Sequence, residues 1–333
     1  MDTQQEQSSK ESISIVVPVY NSMESLPELV HRLEALFTSW RWRGEIVLVN
    51  DGSRDASWTV ITELAAANPH VRGINLLRNY GQHNALLCGI RAASNAVIVT
   101  MDDDLQHPPE EIPKLVDSIR AGADVVYGAP DKQQHGMWRD LASWLTKLAL
   151  QGSMGYAAAR HVSAFRAFRG YLREAFRAYA GPFVSIDVLL TWATTRFAAV
   201  TVRQEPRRTG VSNYTFRKLV VHALNMMTGF STWPLQVASL SGFAFTLFGF
   251  VVLGYVLGRY VLQGGSVPGF SFLASVIAIF SGAQMFALGI IGEYLARVHF
   301  RSMDRPSYAI REAVGTFETD AEGCEQRAGA SRS

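Results

Sequence analysis

Three aspartates stand in a row in the stretch "VTMDDDLQHPPEEIPKL", residues 99–115. Neighbouring carboxylates repel one another and aspartate is a poor strand former, so Asp102, Asp103 and Asp104 are expensive at the end of an apolar run. Side chains alternate in extended chain. This spacing predicts Asp102, Asp104 and Gln106 on one side and Asp103 on the other. Two carboxylates and an amide oxygen together suit a hard divalent cation such as Mg²⁺ or Mn²⁺. A cation there would turn mutual repulsion into attraction. The other reading is a solvated acidic turn that opens a helix, since Pro108, Pro109, Glu110 and Glu111 form a helix start. A further carboxylate, Asp51, occupies the matching place after the apolar run "EIVLVN".

The surrounding chain says what positions these groups. Residues 13–128 alternate short β-rich runs ("ISIVVPV", "EIVLVN", "VRGINLL", "AVIVTM", "ADVVYG") with helix-length amphipathic segments. That order predicts an α/β fold with a parallel sheet covered on both faces. Ligands of such sheets sit at the carboxyl ends of the strands, where both acidic groups fall. No G-x-G-x-x-G follows the first strand and no Walker A pattern occurs, which disfavours dinucleotide oxidoreductases and P-loop NTPases. A net charge of +2 excludes a nucleic-acid-type polycation. Cys88 lies in an apolar run and Cys324 in a polar tail, so no disulfide is expected. Residues 1–12 read as a disordered lead.

The second half is different. No charged residue occurs from Pro234 to Gly258, nor from Tyr260 to Gly292. Each stretch exceeds the about 20 apolar residues that a membrane-spanning helix needs. Two spans are expected at 235–260 and 270–294, within a membrane segment 233–296, joined by "QGGSVPG". The alternative is a buried helical hairpin of a soluble core. Arg217 and Lys218 precede the pair, and Arg297, Arg301, Arg305 and Arg311 follow it. The positive-inside rule therefore places the large N-terminal part and a tail, 297–333, in the cytoplasm. "MWRDLASWLTKLAL" and "YTFRKLVVHALNMMTGF" are amphipathic, and the second supplies an interfacial helix at 213–232. Trp233 and Tyr294 fit an aromatic belt. Gly282, Gly289 and Gly292 permit close helix approach, so a homo-oligomer is expected, with a tetramer among its forms.

Six motifs now stand in order: "VVPVYNS", "LVNDGSRD", "RNYGQHNALLCGI", "MDDDLQHPPEEIPKL", "RRTGVSNYTFRKL" and "GEYLARV". Over roughly residues 13–312, the chain resembles family 2 glycosyltransferases of the branch that acts on polyprenyl phosphates. The resemblance implies a GT-A catalytic domain over 13–212, a nucleotide-diphosphate sugar donor, a divalent cation, and inverting transfer to polyprenyl (undecaprenyl) phosphate at the cytoplasmic leaflet of the inner membrane. It places Pro18, Tyr20 and Asn21 near the base, Asp51 on the base edge, and Ser53 and Asp55 on the pocket rim. Asp102 would lie toward ribose and metal, Asp104 on the metal, and Gln106 at or beside it. The family pattern R-x-x-G-x-S-x-Y falls on Arg207, Gly210, Ser212 and Tyr214, near the phosphates. Arg207 thereby joins Asp102 and Asp104 in the expected catalytic set, while Arg139 and Ser212 go to the acceptor phosphate.

Two departures from the family pattern bear on mechanism. Its S-K-Y reads Ser212, Asn213, Tyr214 here, one cation fewer. Its acidic residue before the F-R-A-like segment is Arg160 in "ARHVSAFRAF". A phosphate monoester has a second pKa of about 6 and is already mostly dianionic near pH 7, so it needs little help from a base. No Asp or Glu between 155 and 200, that is neither Glu174 nor Asp187, is expected to be an essential base. Arg160 is expected to hold the acceptor phosphate instead. His83, His107 and His161 read as structural or surface groups. Two rival functions are a polysaccharide-extending synthase of the same fold, which would need more spans, and a non-catalytic nucleotide-sugar-binding membrane module. The module would have no use for Asp51, Asp102, Asp104 and Arg207 together.

Overall fold

The computed structural model describes residues 11–130, 162–177, 179, 181, 184–205, 233–263, 270–303 and 306–316. Residues 1–10, both amphipathic segments, Arg139, Arg160, Arg207 and Ser212 lie outside the described residues; of the expected lead, Ser12 opens the first strand and Glu11 pairs with Arg120.

Among the described residues, eight strands form one sheet: β1 (Ser12–Val19), β2 (Arg43–Asn50), β3 (Val71–Leu76), β4 (Val97–Thr100), β5 (Val125–Pro130), β6 (Arg166–Arg169), β7 (Phe197–Val202) and β8 (Ile310–Val314). Their spatial order is β7-β5-β6-β4-β1-β2-β3-β8. The inner strands are continuous apolar runs because helices cover both faces. The α-helices α1 (Leu26–Trp40), α2 (Ser57–Ala67) and α4 (Ile112–Arg120) pack on one face, and α3 (Gln82–Ala92) and α5 (Ile186–Ala193) on the other. In α1 the buried residues Leu26, Leu29, Val30, Leu33, Leu36 and Phe37 recur at helical spacing, which gives the helix one core-facing stripe.

All five expected strands are present, but the sheet is mixed rather than parallel. β1 pairs in parallel with β2 and β4, and β2 with β3. The antiparallel β6 then slips between β4 and β5. Its sequence, "RAFR", is only four residues long with arginines at both ends, so no periodicity marked it. The far edge holds the second correction. Residues expected to be a tail return to the sheet as β8, antiparallel to β3, with Asn75 opposite Glu312. The sheet thus takes a strand from beyond both apolar helices.

Those helices are α6 (Trp233–Gln263) and α7 (Phe270–Ser302). Their most apolar stretches, Leu235–Arg259 and Ile279–His299, span 25 and 21 residues and are almost wholly uncovered, Ala238 being a buried exception. Both are long and apolar enough to cross a membrane. The core helices of a soluble domain would be covered, and an apolar surface this continuous calls for a non-aqueous surrounding. The two pack on each other, with the rings of Phe245 and Phe248 lying 5.6 and 6.3 Å from that of Phe280. Glu293, at the polar end of α7, pairs with Arg297 one turn on at 2.8 Å.

Candidate active site

The carboxyl ends of β1, β2 and β4 open into a cleft of about 350 Å³, bordered by Pro18, Tyr20, Asp51, Gln82 and all three aspartates of the triplet. The described residues lining it include four carboxylates and no Lys, Arg or His.

Asp51 directly follows β2 and is 3% exposed. Its Oδ1 accepts the Tyr80 N–H at 2.7 Å and its Oδ2 accepts the Gly81 N–H at 2.9 Å. Burial pushes this carboxyl above its ordinary range, against those two bonds. The fit depends on glycine next door. Gly52 has φ +67°, and a Cβ there would lie 2.5 Å from the backbone N of Asn79. The β1 loop is held as closely. Asn21, with φ +55°, donates its N–H to Ser53 Oγ at 3.0 Å and accepts the Arg54 N–H at 2.8 Å. Asp55 accepts from Met23 N–H, Ser57 N–H and Ser57 Oγ. Burial raises the Asp55 pKa, but these bonds outweigh it and hold the group below its usual value.

The triplet is not extended chain. β4 stops at Thr100, and residues 103–107 form a turn and bend with Leu105 at φ +59°. Strict alternation therefore fails, and all three carboxylates reach the cleft. Asp102 Oδ1 accepts from Gln82 Nε2 at 2.6 Å. Asp104 Oδ1 accepts the Gln106 N–H at 3.1 Å, a local turn bond. Asp103 lines the cleft with the other two and also joins two loops. Its Oδ2 accepts the Tyr20 N–H at 3.2 Å and Ser22 Oγ at 2.5 Å, tying the β1 loop to the β4 loop. Burial and the neighbouring Asp104 raise its pKa. Gln106 leans away from the cleft. Its Oε1 accepts from Gln204 Nε2 at 3.5 Å, and its carbonyl accepts the Glu205 N–H at 2.8 Å. The chain leaving β7, which leads on to Arg207, is thus tied to the aspartate loop.

The family model for glycosyl transferase family 2 matches residues 14–180. An undecaprenyl-phosphate 4-deoxy-4-formamido-L-arabinose transferase of Yersinia pestis (strain Pestoides F) is 35% identical over 313 residues, covering 92% of this chain and 95% of its own. The protein of the same name from Pectobacterium carotovorum subsp. carotovorum (strain PC1) is 34% identical over 91% of this chain and 94% of its own. The chain belongs to glycosyl transferase family 2. Among solved structures, glucosyl-3-phosphoglycerate synthase from Mycobacterium tuberculosis, crystallised with Mn²⁺, UDP-glucose and phosphoglyceric acid, superposes with a TM-score of 0.50 at 17% identity over 66% of this chain and 78% of its own. This glycosyltransferase therefore carries the GT-A sheet, followed by two membrane-length helices.

Behind the cleft of the transferase lies a buried polar network. Arg166, 2% exposed, ion-pairs with Asp187 and donates Nε to Thr100 Oγ1 at 3.1 Å. Tyr127 donates its hydroxyl to Asp187 Oδ1 at 3.0 Å. Asp187 thus neutralises a buried guanidinium beneath the end of β4. Glu174 sits among Arg173 and Arg177 on the surface. His107 is buried with its ring stacked 5.1 Å from Phe165, and burial lowers its pKa, so it stays a neutral packing group. His83 accepts the Ile186 N–H at 3.4 Å. His161 lies outside the described residues.

The sequence reading missed Gln82 and the Tyr80–Gly81 backbone as partners of Asp102 and Asp51. A signal was present, since "NYGQHN" follows the β3 run as a turn opening a helix, which is where an α/β sheet offers backbone N–H groups.

Proposed function

We propose that this chain transfers a sugar from a nucleotide-diphosphate sugar to a polyprenyl phosphate, undecaprenyl phosphate by kinship, at the cytoplasmic face of the inner membrane. One observation carries the reading. The Yersinia relative matches 92% of the chain, and what the match omits is shorter than either apolar helix. The likeness therefore extends over acidic cleft and membrane helices together.

The donor set fits a hard cation. Asp102 and Asp104 offer carboxylate oxygens, and among the described residues no three His, Cys, Asp or Glu side chains converge on one point. Two carboxylates leave the other positions to diphosphate oxygens and water, the habit of Mg²⁺ and Mn²⁺ in nucleotide sites. Asp104 and Asp102 would hold the ion, while Gln106, expected beside them, is engaged by Gln204 outside the cleft. When bound, the ion offsets charge on the departing diphosphate. Without it, four carboxylates would repel that diphosphate.

The chain's own groups do the rest. The Asp51 oxygens each retain a lone-pair position for a base N–H, and Pro18, Tyr20, Asn21 and Ser53 frame that pocket. Arg207 follows the stretch tied to Gln106, which supports a place beside the phosphates. Arg139, Arg160 and Ser212 are assigned to the acceptor phosphate. That phosphate attacks the anomeric carbon as a dianion, so positioning and charge compensation replace a general base. Gly282, Gly289 and Gly292 have open space around their α-carbons, which supports a homo-oligomer, possible as a tetramer, through α7.

The donor half is tested by thermal shift. One nucleotide-diphosphate sugar of a panel raises the unfolding midpoint in the presence of Mn²⁺ and far less in its absence, since a ligand that binds only the folded state stabilises it. No shift with any donor and Mn²⁺ contradicts the reading.

A further inference from the structure

β8 lies beyond both apolar helices in the sequence, yet a chain of hydrogen bonds joins its Glu312 to the rim of the donor pocket. Glu312 Oε1 accepts from Asn75 Nδ2 at 3.0 Å. Asn75 Oδ1 in turn accepts from Asn50 Nδ2 at 2.8 Å. Asn50 Oδ1 accepts the Ser53 N–H at 3.3 Å, and Ser53 Oγ accepts the Asn21 N–H at 3.0 Å. Both amides are buried, at 3% and 8% exposure. A carboxylate can only accept and a backbone N–H can only donate. An amide does both, one at each end. With Glu312 at one end and the Ser53 N–H at the other, only one orientation of the two asparagines satisfies every bond.

The same segment braces the pocket's other wall. The Ala309 carbonyl accepts the Leu77 N–H at 3.0 Å, at the start of the loop whose Tyr80 and Gly81 N–H groups hold Asp51. Tyr308 packs under Arg91 of α3, 5.7 Å from ring centre to guanidinium carbon, and Gln82 at the head of that helix holds Asp102.

The structure assigns Glu312 as a positioning residue for donor binding: it sets the polarity of the Asn75–Asn50 relay and so fixes the Ser53–Asn21 rim. This assignment rests on the donor-pocket reading above. It also gives the segment after the second membrane helix a task in the active site. Glu312 touches no substrate and acts through the relay alone.

A charge-reversed side chain tests it. In Glu312→Lys a donor faces the Asn75 Nδ2 donor. Either that contact is lost or both amides flip, and the flip sets Asn50 Nδ2 against the Ser53 N–H. Glu312→Gln keeps an acceptor. Pairing Glu312→Lys with Asn75→Asp restores a donor–acceptor chain, since a carboxylate at position 75 accepts from both neighbours. The expected result for Glu312→Lys is an about tenfold higher KM for the nucleotide sugar, with KM for polyprenyl phosphate within twofold, the scale of losing one hydrogen bond to a charged group. Glu312→Gln stays near wild type and the paired variant recovers most of the loss. Amide hydrogen exchange of residues 50–54 is read in parallel without any ligand, and speeds up in Glu312→Lys alone. An unchanged donor KM with unchanged exchange overturns the assignment, as does an equal rise in both KM values or failure of the pair to rescue. If wild type transfers no sugar, the transfer reading fails, and the exchange data still decide the relay.

Discussion

Asp104→Asn reduces sugar transfer by about 10²–10³-fold or more, the scale of removing one preorganised electrostatic contact to a transition state. The folded state is kept. Asp104's turn bond, accepted from the Gln106 N–H, can be made by an asparagine oxygen, so the unfolding midpoint moves by only a few degrees at most. What the substitution removes is a unit of charge where the cleft has four carboxylates and no cation among its described residues. Asp103→Asn is the control. Its task is to accept from the Tyr20 N–H and Ser22 Oγ, and an amide oxygen can still do so. It should lose about tenfold at most, on the scale of one weakened hydrogen bond. Steady-state rates at saturating Mn²⁺, beside a melting curve of each variant, check the pair. Equal losses would mean a general acidic surface rather than a placed charge.

Asp187→Ala has the second largest effect, on stability. It strands Arg166, 2% exposed, without the carboxylate that neutralises it. Removing one partner of a buried ion pair costs about 3–5 kcal/mol. Tyr127 loses its acceptor as well. Asp187→Asn keeps a hydrogen-bond acceptor but not the charge, and falls between. Replacing both charges, Arg166→Met with Asp187→Leu, should recover much of the deficit because no unpaired ion remains. Urea unfolding of the detergent-solubilised protein measures all three. A stable Asp187→Ala protein that binds donor and acceptor but does not turn over would instead mark Asp187 as a base.

How legible all this was in the sequence depends on the length scale of each signal. β1 to β5 are short, mostly apolar runs between amphipathic helices, the pattern of buried strands in a covered sheet. The two apolar helices declare themselves by length and lack of charge. β6 and β8 do not, because "RAFR" and "IREAV" are short and charged and owe their strand form to the partners they meet across the sheet. At the site, Asp51 and the triplet were visible as carboxylates at strand ends. Their geometry was not. Alternation holds only in extended chain, and the chain turns after Thr100. The tethers from Gln82, Tyr80 and Gly81 are long-range contacts that no local pattern encodes. The acceptor side rests on Arg139, Arg160, Arg207 and Ser212, known here from sequence motif alone.

The most direct test of sugar transfer to a lipid phosphate is to follow the sugar. Membranes or purified protein are incubated with Mn²⁺, undecaprenyl phosphate and the radiolabelled donor found by thermal shift, then extracted with chloroform and methanol. The account predicts label in the organic phase, dependent on added lipid phosphate, abolished by Asp104→Asn, and released by mild acid as a single sugar. Label in a water-soluble polymer, or donor hydrolysed with none in the lipid phase, would contradict it.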